Sequence, residues 1–228
     1  MRLFAIFAIA GLAGALALAI LHYLIFRPWR SAPERTPKDA RRYGVWERLV
    51  HLAAGAGFLI LAVTAFVPVL SNESIEGWML MIHVGVSPLF FLGVVASVLT
   101  WAEDCRFTKE DGAWLAQRLR HPFQSSSAGL PAGRFDVLQK GFFWFSALLC
   151  LVLLVSMLLS MVQLFGPGEQ VWLARLHRWT ALVLVVTVIL HSYRTLLAKP
   201  GALSALFSGK VSAAWLKRYH PLCGKDAR

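Results

Sequence analysis

Five long, nearly uninterrupted stretches of apolar residues constrain the fold of this chain more than any other feature. An α-helix rises about 1.5 Å per residue, so about 20 apolar residues cross the ~30 Å hydrocarbon layer of a bilayer. The stretches run from about 3 to 26, 49 to 70, 78 to 101, 141 to 165 and 172 to 198. Only 15% of the 228 residues are charged, against about 25% in a typical soluble domain. The sequence therefore predicts an all-α integral membrane helical bundle with five transmembrane helices.

The distribution of basic residues predicts the orientation of these spans. Short loops rich in Lys and Arg stay on the cytoplasmic side of a membrane. Such residues are concentrated between the first two spans, between the third and fourth, and after Ala198, whereas the segments 71–77 and 166–171 have none. We therefore expect a multi-pass protein of a bacterial inner membrane with a periplasmic N-terminus and a cytoplasmic C-terminus. The same bias explains the net charge of +11, so we expect lipid and no nucleic acid as a partner.

The chain divides into four segments on these grounds. We expect an N-terminal transmembrane helix over residues 1–26, a basic Pro-rich linker over 27–45, a four-helix core over 46–198 and a cytoplasmic tail over 199–228. The first segment could instead be a cleaved signal peptide, because an Arg precedes an apolar run that contains small residues. We favour a retained helix, because cleavage would leave the basic linker outside the cell, against the charge rule.

Four histidines in the apolar spans are the main candidates for chemistry, because ionisable side chains inside a bilayer are costly. They are His51, His83, His177 and His191. His177 and His191 are 14 residues apart in the last span. At about 100° and about 1.5 Å per residue, they lie within about 40° of one helix face and ~21 Å apart along its axis. One helix can therefore supply an imidazole at each of two depths.

The other two histidines match these two depths. His83 and His177 each lie five residues after a tryptophan that follows a predicted outer connection, whereas His51 and His191 lie toward the cytoplasmic ends of their spans. Two imidazoles on opposite sides of an iron make a stable six-coordinate haem. The spacing thus predicts two b haems in the core: an outer one held by His83 and His177, and an inner one held by His51 and His191.

Basic residues near these ligands suggest how the haem propionates could be bound. Arginines lie within one turn of the histidines and could make charge-assisted hydrogen bonds to propionates; they are Arg48, Arg175, Arg178 and Arg194. Snorkelling of long side chains to the headgroups explains these positions equally well. Two other classes stay open: a proton transporter or channel lined by the histidines, and a purely structural anchor. A proton path usually recruits acidic partners, and the spans have no Asp or Glu beyond their margins.

Short motifs around the histidines carry a family resemblance. They are Glu47-Arg48-Leu49-Val50-His51, Ile82-His83, the segment from Arg134 to Lys140, Leu176-His177, Leu190-His191-Ser192-Tyr193, and Gly209-Lys210-Val211 with Trp215 and His220-Pro221. They lie within the segment over which the resemblance extends, about residues 42–223. This set resembles the cytochrome b (gamma) subunit of membrane-bound formate dehydrogenases, within a dihaem cytochrome b family that includes hydrogenase cytochromes b.

The resemblance implies a four-helix dihaem core, here with one extra N-terminal helix, that passes electrons from a periplasmic catalytic complex to quinone near the inner haem. The implied partners are the iron–sulfur and catalytic subunits of a formate dehydrogenase-like complex, with a hydrogenase or another respiratory oxidoreductase as the alternative. The implied quinone pocket involves Asp136, Gln139, Lys140 and His191. The family usually has Asn at position 136, so an acidic side chain there could instead relay a proton. We expect an electron-transfer subunit, because the chain lacks a soluble domain large enough to oxidise a substrate itself.

Overall fold

The computed structural model describes residues 2–28, 37–121, 129–162 and 165–223, and this part of the chain is mainly helical. Its helices are α1 (Arg2–Phe26), α2 (Val45–Leu70), α3 (Gly77–Trp101), α4 (Lys109–Arg120), α5 (Val137–Met161), α6 (Pro167–Tyr193), α7 (Leu203–Ser208) and α8 (Ala213–Tyr219). A π-helical turn over Arg194–Ala198 continues α6. Helices α1, α2, α3, α5 and α6 are long and apolar enough to cross a membrane. The predicted all-α membrane bundle with five spans is therefore confirmed.

The spanning helices begin earlier than their apolar stretches. Helix α2 begins at Val45, α5 at Val137 and α6 at Pro167, four to five residues before the predicted starts. Proline suits the first turn of a helix, where its missing N–H has no intrahelical partner to lose. Helix α5 also ends at Met161 rather than near Phe165. Hydropathy does not predict these extra turns, because a helix can begin in polar surroundings when its first turn is capped.

Asp136 provides this capping for α5. Its Oδ1 accepts a hydrogen bond from the Gln139 backbone N–H at 3.0 Å, and the Gln139 Oε1 accepts one from the Asp136 backbone N–H at 3.1 Å. This reciprocal pair satisfies two backbone donors that a helix start leaves without partners. Residues 137–140, which the sequence analysis placed before the span, therefore form the first turn of α5.

The predicted linker and tail contain short secondary structure that hydropathy could not predict. Strand β1 (Ala40–Arg41) pairs antiparallel with β2 (Lys210–Val211), with Ala40 opposite Val211. The adjoining Gly209 has φ 74°, and a Cβ there would lie 2.6 Å from the Tyr43 carbonyl oxygen. Glycine is therefore required at this position. Linker residues 29–36 and tail residues 224–228 lie outside the described residues.

Two compact units make up the chain. Unit 1 comprises Met1–Ala17, Val50–Leu99 and Phe145–Ile189, and unit 2 comprises Leu18–Leu49, Thr100–Trp144 and Leu190–Arg228. Unit 1 thus consists of parts of the five spans and the connections that join them. Unit 2 contains the other ends of the spans together with the short helices and strands.

Apolar contacts build the core of unit 1. One cluster joins Phe4 and Ala8 of α1 to Phe66 of α2 and Leu182 of α6. The Phe4 ring also lies edge-on to Trp179 of α6, with the ring centroids 5.2 Å apart. The N-terminal helix is therefore packed against two other spans within this unit.

A buried ion network organises unit 2. The Asp136 side chain is 1% exposed, and its Oδ2 accepts hydrogen bonds from Arg194 Nη2 at 2.8 Å and from Lys199 Nζ at 2.5 Å. Burial alone would raise the pKa of Asp136, but the two cations outweigh burial and hold this pKa well below its usual range. Burial lowers the pKa of Lys199 to about 8, although Asp136 favours its charged form. The start of α5 is thus bound electrostatically to the end of α6.

A second buried ion pair joins α5 to α4. The Lys140 Nζ donates to Asp111 Oδ2 at 2.7 Å and to the Arg106 carbonyl oxygen at 2.8 Å. The Lys140 and Asp111 side chains are both less than 10% exposed. The first turn of α5 therefore contributes to both networks.

We predict that Asp136→Asn destabilises unit 2 far more than the loss of an exposed ion pair does. Removing one partner of a buried pair leaves an uncompensated charge and costs about 3–5 kcal/mol. The matched control is Glu103→Gln, because Glu103 pairs with Arg106 at 3.0 Å while both side chains are at least 70% exposed; this change should cost less than about 1 kcal/mol. Denaturant titration of each variant in detergent measures the free energy of unfolding. Equal losses in the two variants would contradict the prediction.

Candidate functional site

The structure places the four candidate histidines on three spanning helices. His51 lies on α2, His83 on α3, and His177 and His191 on α6. A single continuous helix carries the last two, as the 14-residue spacing requires. His83 and His177 both belong to unit 1. His51 belongs to unit 1 and His191 to unit 2, and their pairing stays a prediction.

A hydrogen bond to Thr64 of α2 determines which nitrogen of His83 is available. The His83 Nδ1 lies 2.9 Å from the Thr64 Oγ1, and the Thr64 hydroxyl donates to the Ile60 carbonyl oxygen at 2.8 Å. Because the Thr64 proton is already engaged, the Thr64 oxygen accepts and the His83 Nδ1 donates. The Nε2 of neutral His83 therefore carries the free lone pair.

His177 is held in the same tautomer by α5. Its Nδ1 lies 3.0 Å from the Leu153 carbonyl oxygen, which can only accept a hydrogen bond. The proton must therefore be on Nδ1, and Nε2 again carries the lone pair. Engagement of one ring nitrogen in this way fixes the orientation and the tautomer of a metal-binding histidine.

The other two histidines have different surroundings. The His191 ring stacks on the Phe142 ring of α5, with centroids 3.9 Å apart and planes 15° apart. One turn after His51, a Cβ placed on Gly55 would meet nothing within 4 Å, whereas a Cβ on Gly57 would lie 3.2 Å from the Phe90 Cβ. Gly57 thus serves helix packing, and Gly55 leaves room beside the helix on the side that also carries His51.

This donor set fits a haem better than it fits a metal ion bound by protein alone. In the described part of the chain, no group of three or more His, Cys, Asp or Glu side chains could hold a metal ion. Two imidazoles with available Nε2 atoms would suffice to hold a haem iron, because the porphyrin brings its own nitrogens. His83 and His177 present the nitrogens that this arrangement requires.

The four arginines near the histidines have different surroundings. Arg175 is exposed. The Arg178 guanidinium lies 5.8 Å from the centre of the Phe4 ring, Arg194 is bound to Asp136, and Arg48 Nη1 donates to the Phe207 carbonyl oxygen. Arg175 and Arg178 thus belong to unit 1, and Arg48 and Arg194 belong to unit 2.

The residues of the implied quinone pocket lie in unit 2 together with His191. Asp136 and Gln139 cap α5 and Lys140 binds Asp111, as described above. Sequence reasoning missed the partners Asp111 and Lys199, because an ion pair between distant segments leaves no pattern in a single sequence. It also missed Thr64, although an isolated hydroxyl in the middle of an apolar span was a readable signal that a buried polar group needs a partner.

Comparison with known proteins adds a second kind of observation. Residues 42–209 match the family of prokaryotic cytochrome b561. The chain is 26% identical over 201 residues to the formate dehydrogenase cytochrome b556(fdo) subunit of Escherichia coli (strain K12), covering 82% of this chain and 92% of that protein. It is also 25% identical over 137 residues to the formate dehydrogenase cytochrome b556 subunit of Haemophilus influenzae, covering 58% and 57%. The resemblance found in the motifs is confirmed.

The matched residues include α2, α3, α5 and α6, and with them the four candidate histidines. They span well over half of the chain, and the helices have the length and composition that a membrane requires. The chain therefore belongs to the prokaryotic cytochrome b561 family and is a multi-pass cytochrome b of the inner membrane that takes part in electron transport.

Proposed function

We propose that this chain is the dihaem cytochrome b subunit of a formate dehydrogenase-like complex. In this role it carries electrons from a periplasmic dehydrogenase, through two b haems, to quinone near the cytoplasmic face. The observation that carries the proposal is the matched state of His83 and His177, each with Nδ1 engaged and Nε2 available. The names of the curated relatives support the formate dehydrogenase partner.

We assign the outer haem to His83 and His177 and the inner haem to His51 and His191. A bound haem b supplies one-electron chemistry at its iron. Thr64 and the Leu153 carbonyl orient the two outer imidazoles, and Phe142 holds the His191 ring by stacking. We further assign haem propionate binding to the four arginines, which are Arg48, Arg175, Arg178 and Arg194.

We place the quinone site near the inner haem, at Asp136, Gln139, Lys140 and His191. Reduction of a quinone takes up two electrons and two protons. The low pKa of Asp136, set by Lys199 and Arg194 against the effect of burial, keeps its carboxylate ionised at neutral pH. Asp136 and Lys140 therefore position the first turn of α5. Gln139 is only half-buried, and because its Oε1 accepts from the Asp136 N–H, its amide NH2 is the group that we assign to the ligand.

The basic loops support an orientation with the N-terminus in the periplasm and the C-terminus in the cytoplasm. We propose that residues 1–26 stay attached as a span, 27–45 link this span to a dihaem core over 46–198, and 199–228 lie on the cytoplasmic side. The iron–sulfur subunit of the complex would then dock on the outer connections, near the outer haem. Purification of the complex from its native membrane tests the whole proposal: formate should reduce b-type haems, and a preparation without a b-type absorption band would refute it.

Double substitutions test the pairing of the histidines. Wild-type protein should hold two haems, and His83→Ala with His177→Ala should leave one, because both residues serve the outer haem. His83→Ala with His191→Ala should leave none, because each change removes a ligand from a different haem. Haem content per chain and the reduced-minus-oxidised spectrum measure the outcome. If the second pair of changes retained one haem, the assignment would be wrong.

Replacement of the hydroxyl partner of His83 should weaken the outer haem. Thr64→Val removes the acceptor for the His83 Nδ1–H, and loss of such a partner typically lowers metal affinity about 10–100-fold. Thr64→Ser keeps the hydroxyl and should restore nearly normal haem retention. The rate of haem transfer to apomyoglobin measures the effect. Identical rates in the two variants would show that this hydrogen bond does not matter for the haem.

A substitution at Gln139 separates quinone binding from haem binding. We expect Gln139→Ala to keep both haems and to slow haem reoxidation by a water-soluble quinone about fivefold, since a lost hydrogen bond is worth about 1 kcal/mol. Leu138→Ala is the matched control, because Leu138 is exposed and neighbours Gln139 on α5. Stopped-flow spectroscopy at the b-type band compares the rates. Equal rates in both variants would remove Gln139 from the site.

A further inference from the structure

Unit 2 contains a basic cavity that neither the haem ligands nor the quinone-site residues line. Its volume is about 310 Å³, and it is lined by Arg41, Arg42, Gly44, Glu47, Arg134, Leu216 and Cys223. We call it the Arg42 cavity. Three of its lining side chains are cationic and one is anionic, so the lining has an excess of positive charge.

Arg134 is already neutralised by acidic partners. Its Nη1 donates to Asp104 Oδ2 at 2.6 Å, and its Nη2 donates to Glu47 Oε1. Desolvation alone would lower the pKa of Arg134, but Asp104 and Glu47 outweigh it and raise that pKa. The one carboxylate of the Arg42 cavity is therefore engaged by Arg134, and the charges of Arg41 and Arg42 remain.

Arg42 is buried, and among the described residues it has no acidic partner. It is 7% exposed, and its Nη2 donates to the Arg134 carbonyl oxygen at 2.6 Å and to His220 Nε2 at 3.2 Å. Its Nη1 is buried and has no hydrogen bond. Among the ion pairs of the described residues, none places a carboxylate within 4 Å of this guanidinium. A buried cation without a counter-charge is costly, so the site favours an anion.

His220, the side chain that accepts a hydrogen bond from Arg42, is neutral and does not balance the charge of Arg42. The His220 Nδ1 donates to the Gly133 carbonyl oxygen at 2.8 Å, which leaves Nε2 as the acceptor for Arg42. Burial, with Arg42 and Lys199 nearby, holds the pKa of His220 well below its ordinary value. The partner of Arg42 thus carries no charge of either sign.

The position of the Arg42 cavity along the chain indicates what kind of anion is available. Arg41, Arg42 and Gly44 immediately precede the span α2, and Arg134 lies three residues before the span α5. The ends of spanning helices lie at the level of the lipid headgroups. Basic pockets at this level bind the phosphate groups of anionic lipids.

We propose that the Arg42 cavity binds an anion with a phosphate group, whose negative charge balances the positive charges of Arg41 and Arg42. The ligand chemistry is common to the phosphodiester of an anionic lipid and to free inorganic phosphate. Arg41 is exposed and can contact the anion directly, whereas Arg42 contributes its charge from the buried wall.

Binding measurements on the full haem-loaded chain in neutral detergent test this proposal. Short-chain phosphatidylglycerol, short-chain phosphatidylcholine and inorganic phosphate are each titrated by calorimetry. We expect Arg41→Gln to weaken binding of the anionic ligand about tenfold, because loss of one charge-assisted hydrogen bond lowers the affinity by about this factor. Lys38→Gln is the matched control, because it removes the same charge from the same segment at an exposed residue that does not line the cavity. This change should alter binding less than twofold.

The titrations distinguish the two sources of the phosphate group. Tight binding of phosphatidylglycerol with no binding of phosphatidylcholine assigns the Arg42 cavity to a lipid, and binding of inorganic phosphate alone assigns it to the free anion. Both outcomes support the proposal if Arg41→Gln weakens binding and Arg41→Lys restores it. Absence of binding by every anion, or equal effects of Arg41→Gln and Lys38→Gln, would overturn the proposal.

Discussion

The absence of water inside a bilayer is the constraint on which the arrangement of this protein depends. A polar group there must find a partner within the protein, because leaving it unpaired costs several kcal/mol. The imidazoles of His83 and His177 meet this demand with one ring nitrogen each, through Thr64 and the Leu153 carbonyl. The constraint that makes a buried histidine costly therefore also selects its tautomer and leaves its second nitrogen available.

The sequence was sufficient to predict the elements that hydropathy controls. Apolar length predicts the five spans and their all-α class. It also predicts that His177 and His191, which are 14 residues apart, share one helix. The cluster at Asp136 was not predictable in the same way, because Arg194 and Lys199 come within reach of it only through tertiary structure. The strand pair of Ala40 with Val211 was missed because two-residue strands leave no periodic pattern.

Unit 2 differs from unit 1 in what holds it together. Unit 1 is joined by apolar clusters such as that of Phe4, Phe66 and Leu182. Unit 2 combines an apolar cluster of Ala205, Val211, Trp215 and Tyr219 with buried charges. In these ion pairs Asp136 is bound by two cations and Asp111 by Lys140. Apolar packing suits segments surrounded by hydrocarbon, where it leaves no polar group unpaired, whereas ionic contacts give the polar ends of the helices a defined geometry. The implied quinone residues of α5 belong to the second kind of environment.

The π-helical turn at the end of α6 has a consequence for how Asp136 is bound. In a regular α-helix, residues five apart point about 140° away from each other. In the wider turn over Arg194–Ala198, the Lys199 N–H bonds to the Arg194 carbonyl at 3.1 Å, and residues five apart come onto one side. Both cations can then reach a single carboxylate oxygen. Loss of one residue from this turn would rotate Lys199 away from Asp136, so the length of the segment matters as much as its composition.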